Sequence, residues 1–382
     1  ENQLYSAIHR FGSALPRPEA GGSYRDVDEQ QFFKSYAKRL IRKLFVPLNG
    51  SDDVDLSSYL EDSSKPQSYL ERVCRACDDI TTIEPKDLDA ESFGKREGYA
   101  DYKHLRGINA VPDKFKAILG PFIAAFDKRV FETQNASGHL FVKKIPVRER
   151  AEFLEGRFGH GEVFTTDFSS FECHHRGVFN EVIWFLFHHI LRDVTPKDVL
   201  DLVREMYGGT NTCRFSGFTA TIVETLMSGA LWTSSANGAL NMLIMSYIWL
   251  RSKYPLASAT RLTQLFDEFN GCFEGDDGIA AGRADVVLAR RLGINLKFEQ
   301  HKDFTTAAFC GIIKNYDSPV IYTDPVKTIC NFFVLEPEFG HGPIDQAVER
   351  LRAKALSYYY QYSNTPVVGP LAYAVLKHTE HV

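Results

Sequence analysis

Apolar residues recur at helical spacing from 32 to 44 (FFKSYAKRLIRKL), with Lys and Arg between them. The pattern predicts a helix whose basic face is solvated, a simpler reading than a nucleic-acid contact. Residues 51–66 (SDDVD, then DSSKP) predict a loop. Residues 162–167 (EVFTTD) predict a short strand ending on a carboxylate. A strongly apolar helix is expected over 180–191. Another starts at Thr195-Pro196, with Thr as N-cap and Pro at the first helical position, and ends at Gly208-Gly209. Residues 214–225 predict strands around Ser216-Gly217, and 234–250 a long apolar helix. Residues 272–281 (CFEGDDGIAA) place two β-like arms around Gly-Asp-Asp-Gly, the chemistry of a hairpin. A helix over 284–292 stops at Gly293. Strands are expected at 296–299, 309–313 and 320–322, then a helix over 344–362, with Pro366 and Pro370 breaking the tail. Interspersed strands and helices predict a mixed α+β fold.

The chain has 382 residues, 44% hydrophobic and 24% charged, enough apolar side chain to exclude general disorder. Its Gly and Pro show no period, which excludes collagen-like and simple repeat architectures. The length suits one large domain or about two to three smaller ones. Seven cysteines, from Cys74 to Cys330, suggest no disulfide framework and predict a reducing, intracellular setting. Cys74 and Cys77 form a single CxxC. Without a second pair, two thiols on one helical face fit better than zinc. The longest apolar stretches, 182–191 and 239–250, are too short to span a bilayer. The chain opens with Glu1, not Met, which predicts a processed or trimmed product.

The net charge of −5 argues against a protein that coats nucleic acid indiscriminately. Residues 95–150 invert that balance: twelve Lys/Arg against six Asp/Glu, a local charge of 12 − 6 = +6. Such clustering suits a phosphate-handling surface. Three carboxylates carry the candidate chemistry: Asp167 at the end of a predicted strand, and Asp276-Asp277 on the predicted turn. Mg²⁺ is held by one or two carboxylates plus substrate phosphates, so a strand carboxylate beside a hairpin pair meets that need. Alone, the same Asp-Asp-Gly also makes an ordinary turn.

Order and context add to this. The chain resembles the RNA-dependent RNA polymerases of positive-strand RNA viruses, most closely the tombusvirus-like group, with nodavirus-like enzymes a neighbouring possibility. The resemblance covers about residues 100–360 and five motifs in order. Arg106-Gly107-Ile108 resembles the motif that grips the incoming triphosphate, with Lys103 and Lys116 as weaker matches. Thr166-Asp167-Phe168-Ser169-Ser170-Phe171-Glu172 looks like the motif that supplies the first metal ligand, Asp167. Glu172 stands where the family more often has an Asp facing the ribose. Ser228-Gly229-Ala230-Leu231-Trp232-Thr233-Ser234-Ser235-Ala236-Asn237 fits the motif whose Ser, Thr and Asn select ribose, although Thr233 and Asn237 also suit capping roles. Gly275-Asp276-Asp277 is the fourth motif. Lys297, followed by Phe309-Cys310-Gly311, is similar to the last, with Lys302 the alternative lysine.

The resemblance implies a right-hand polymerase: fingers at 1–160 and 186–226, a palm of antiparallel sheet backed by helices at 161–185 and 227–320, and a small thumb at 321–382. It implies template-directed nucleotidyl transfer from NTPs to an RNA 3′-hydroxyl in viral replication. Asp167, Asp276 and Asp277 would hold Mg²⁺ (or Mn²⁺). Lys297 would be the general acid. Arg106, Lys103, Lys116, Glu172, Ser228, Gly229, Thr233 and Asn237 would bind the NTP. Expected partners are template and nascent RNA, NTPs and other viral replication proteins, in a replication complex of the host cytoplasm. A reverse transcriptase shares this logic, but usually has an aromatic residue before x-Asp-Asp, and Asn237 favours ribonucleotides. A catalytically dead RNA-binding or assembly protein is the rival of another class. The filled metal-ligand positions speak against it.

Overall fold

The computed structural model describes residues 2–11, 26–61, 65–78, 89–95, 97–98, 104–168, 170–314, 320–334 and 344–380. The fold is mixed α+β. Its strands, in chain order, are β1 (Ala90–Gly94), β2 (Gly107–Ala110), β3 (Gln134–Asn135), β4 (Gly138–His139), β5 (Val163–Phe168) and β6 (Thr210–Arg214). They continue with β7 (Thr219–Val223), β8 (Gly271–Glu274), β9 (Asp277–Ala281), β10 (Leu296–His301), β11 (Ile313–Lys314) and β12 (Ile321–Tyr322). Two four-stranded sheets result. One has the order β10-β5-β9-β8 and is antiparallel throughout. The other, β2-β1-β6-β7, joins two antiparallel pairs through a short parallel contact, Ala90 with Cys213 and Glu91 with Arg214.

Helix Thr233–Lys253 is the hub. It is apolar on nearly every side, as a helix enclosed by other elements must be. It lies against β8 and β9 and meets helices Val27–Leu44, Asp113–Phe131 and Val178–Leu191. One continuous apolar core runs from Phe33 to Ile294, and smaller clusters sit beside the β10-β5-β9-β8 sheet, called the acidic sheet below, and under the C-terminal helices. The basic helix begins at Val27, where Asp26 accepts a hydrogen bond from the Glu29 amide (3.1 Å). It buries Phe33, Tyr36, Leu40 and Ile41 and leaves its cations outside.

Several expectations need correction. The 51–66 loop contains a short helix, Leu56–Leu60, because Asp55 caps the amides of Ser57 and Ser58. Thr195 caps nothing: its hydroxyl is buried without a partner among the described residues, and the helix runs from Lys197 to Gly208 behind Pro196. Phe309 makes only a bridge to Ile312, before β11 pairs with β12. Pro370 does not break the tail. It sits in the first turn of helix Val368–His378, where a missing N–H costs nothing. Helix Val178–Leu191 runs unbroken through 185/186, with Val182, Ile183, Leu186 and Phe187 all buried. Among the described residues all seven cysteines are free thiols, and no helix is long and apolar enough to cross a membrane.

Gly278 sets how closely the hub helix approaches. A Cβ there would lie 2.4 Å from Met245 Sδ and 2.8 Å from Thr166 Oγ1. Gly278→Ala should destabilise the protein by about 1–3 kcal/mol through overpacking. Adding Met245→Ala should recover part of that loss in a double-variant cycle of urea unfolding, and a loss under about 0.5 kcal/mol would contradict the close approach.

Candidate active site

The acidic sheet carries a row of charged side chains. Thr166 pairs with Gly278, so Asp167 stands opposite Asp277 one step further along. On the other side Asp167 pairs with Lys297, and Asp277 pairs with Glu274. Opposed residues of antiparallel strands share a face, so Lys297, Asp167, Asp277 and Glu274 line one face across four strands. Asp276 occupies the turn itself, next to Gly275 at φ +59°. Crowding by surrounding atoms, then the charges of Asp276, Asp167 and Glu274, push the Asp277 carboxyl up to about 6, although the residue keeps an exposed surface. Lys327, at the start of helix Pro325–Phe332, is the cation that opposes this shift.

The hairpin is held from behind. Asn241, fully buried on the hub helix, donates to the carbonyls of Gly275 (3.3 Å) and Asp276 (2.9 Å). Glu274 is compensated from the basic region. Arg150 binds it at 2.5 Å and Lys143 at 3.5 Å, and Arg150 also donates to the Ile145 carbonyl (2.9 Å).

A second cluster forms where β5 ends. Glu172 lies in the tight turn Phe171–His174 and binds Arg10 of the N-terminal helix Asn2–Phe11 at 2.7 Å. A small pocket there is lined by Ser6, Arg10, Gly107, Asn109, Glu172 and Ser228. The structure therefore brings Glu172 and Ser228 together. The Ser228 carbonyl accepts from the Asn109 amide (2.7 Å). Gly229 adopts φ +110° with its Cα beside the Asn109 backbone, a position a side chain could not share. The Thr233 hydroxyl accepts from the Gly229 amide (3.2 Å) and lies 2.8 Å from the Ala230 carbonyl, so it braces this loop. Asn237 bonds to His175 at 2.8 Å, and the His175 amide bonds back to the Glu172 carbonyl at 3.4 Å.

The cations expected to grip phosphate are placed differently. Arg106 is exposed at the start of β2, with Glu97 at 3.7 Å. Lys116 is committed to Asp113 (2.6 Å) and lies over the Tyr69 ring. Lys103 lies outside the described residues, as does Ser169. Lys297 is exposed and paired with Glu299 at 2.6 Å. That contact, and next the charge of Asp167, raises its pKa, so its ammonium stays protonated. Lys302 is exposed.

Sequence reasoning missed Glu274, Arg150, Asn241, His175 and Lys327. The one available signal was polarity out of place: an Asn inside the apolar 239–250 run, and two adjacent His behind a strand that ends on Asp.

Among the described residues no three carboxylate, imidazole or thiolate groups already converge as a metal site. The donor chemistry nevertheless fits a hard divalent cation. Like charges directly opposite on paired strands repel, and Asp167 and Asp277 are held opposite one another with Asp276 adjacent. No family model matches the sequence, and no curated protein matches it.

Two outcomes are expected here. Arg150→Ala leaves Glu274 beside Asp277 with only the more distant Lys143 and should cost about 3 kcal/mol, as loss of one partner of a largely buried pair does. Arg150→Ala with Glu274→Gln should regain most of it in urea unfolding. The second concerns acid. Burial pushes His175 down to about 3 and His174 down to about 4, from an ordinary 6.5. Between those values and 6.5 the unfolded chain binds more protons, so stability is complete above pH 6.5 and is lost as pH falls. His175→Gln should flatten that acid limb when unfolding is measured from pH 7 to 4.

Proposed function

We propose that the chain is an RNA-directed RNA polymerase that transfers nucleotides from NTPs to an RNA 3′-hydroxyl. The observation that carries this is the juxtaposition of Asp167 and Asp277, from segments far apart in sequence, on one sheet face with Asp276 in the adjoining turn. The five-motif resemblance supports the same reading. So does the division of strands: the acidic sheet draws only on 163–168 and 271–301, the expected palm, and the other sheet on 90–110 and 210–223, the expected fingers. In this reading 321–382 form the thumb.

Asp167, Asp276 and Asp277 are the residues that would hold Mg²⁺, or Mn²⁺ in its place. When bound, the ions lower the pKa of the attacking hydroxyl and neutralise charge on the phosphates. Arg106 binds triphosphate oxygens through its planar guanidinium. Glu172, from the turn after β5, and Asn237, from the hub helix, read the ribose together with the loop that Ser228, Gly229 and Thr233 shape. Lys297, held protonated, supplies the proton to leaving pyrophosphate. Its pairing with Glu299 makes it a weaker acid, so pyrophosphate must displace that contact. Partners are template and nascent RNA, NTPs and other viral replication proteins, in a cytoplasmic replication complex.

The test is incorporation of labelled UTP on poly(A) with and without Mg²⁺. Incorporation should require the metal. Asp167→Ala and Asp276→Ala should each lower it far more than tenfold with an unchanged circular dichroism spectrum, and a fall below about tenfold, or roughly 1.4 kcal/mol of barrier, would remove the residue from the metal site. Arg106→Ala should raise KM for UTP more than it weakens RNA binding. Unchanged NTP kinetics with weaker RNA affinity would move Arg106 to the RNA path.

A further inference from the structure

Behind Asn237 lies a buried chain of polar groups. His175 is fully buried, and its Nε2 lies 2.8 Å from Asn237 Oδ1. Its Nδ1 lies 2.8 Å from the hydroxyl of Tyr207, which is also buried. Burial keeps the ring neutral, so it carries one proton and can donate at one nitrogen only. The placement of that proton follows from the ends of the chain. The Tyr207 hydroxyl makes no other hydrogen bond among the described residues. If its hydroxyl accepted from Nδ1, its own proton would be buried without a partner, at a cost of about 1–3 kcal/mol. The hydroxyl therefore donates to Nδ1, and Nε2 carries the proton toward Asn237. A donor at Nε2 requires the amide oxygen of Asn237 to face inward, which leaves the amide NH₂ on the outer side. That nitrogen makes no hydrogen bond to any described residue, and Asn237 is half-buried.

We infer that His175 and Tyr207 are positioning residues for sugar selection: they lock the Asn237 amide with its NH₂ toward the incoming ribose. This rests on the polymerase reading. A 2′-hydroxyl has one proton to give and lone pairs to share. Glu172 can only accept, so it takes the proton, and the Asn237 NH₂ donates to the oxygen. With the amide flipped, both protein groups would be acceptors facing a single proton, and the ribonucleotide would lose one bond. A deoxynucleotide would lose nothing. The relay thus acts on the ratio between sugars, and a merely structural role would depress both sugars alike.

The experiment measures kcat/KM for ATP and dATP on poly(U) for wild type, Tyr207→Phe, His175→Phe, His175→Gln and Asn237→Ala, with the ring ¹⁵N shifts of histidine-labelled wild type and His175→Gln alongside. His175→Gln identifies the His175 signals and retains an N–H donor at the Nε2 position. The expected result is an Nε2–H tautomer, a three- to tenfold fall in the ATP/dATP ratio for Tyr207→Phe and His175→Phe, as one lost hydrogen bond gives, and a ratio near wild type for His175→Gln. An Nδ1–H tautomer overturns the relay. So does an unchanged ratio in folded Tyr207→Phe beside a lowered one in Asn237→Ala. If wild type makes no RNA at all, the polymerase reading falls by itself, and the ¹⁵N shifts still decide the tautomer.

Discussion

The approach of one helix to one hairpin governs this molecule. Residues 238 and 278 carry no side chain, so Thr233–Lys253 can lie directly on the β8–β9 pair, with Met245 Sδ within 3.0 Å of the Thr166 hydroxyl on β5. Asn241 then reaches the turn carbonyls, and the turn acids have a fixed base. The first turn of the same helix carries Thr233 and Asn237 to the second cluster. One rigid element therefore sets the distance between the acidic turn and the second cluster.

That arrangement concentrates negative charge, and the structure manages it unevenly. Glu274 is neutralised by Arg150 and Lys143, while at Asp277 the charges of Asp276 and Asp167 outweigh the opposing charge of Lys327. The turn keeps its place under that repulsion because Asn241 holds its carbonyls from behind. The basic region looks different in this light. Its +6 is partly spent within the fold on carboxylates outside the counted span: Arg129 on Asp52, and Lys143 and Arg150 on Glu274. The field available to a polyanion is smaller than the residue count implies.

The parts legible in the sequence are those fixed by near neighbours. The hairpin at 271–281, the strand before Asp167 and the hub helix each carry their own turn chemistry or periodicity, and their boundaries fall within a few residues of expectation. Thr195 and Pro370 misled because a good cap or breaker acts only if the surrounding backbone uses it there. The pairs His175 with Asn237, 62 residues apart, and Arg150 with Glu274, 124 apart, leave no periodic trace. They belong to tertiary geometry, and a single chain of letters carries only the polarity of each member.

Position 172 answers to two neighbours at once. Glu172 sits in a turn that faces Ser228, and it also anchors the N-terminal helix through Arg10, a helix further tied by Arg176 to the Phe11 carbonyl at 2.9 Å. An aspartate is one methylene shorter and would withdraw from Arg10 before it withdrew from the pocket. The length of this side chain thus answers to anchorage as well as to the shape of the pocket. Residues 2–11 and the turn behind Asp167 are bound to one another, so loosening the N-terminal helix would be felt in the pocket that Glu172 and Ser228 line.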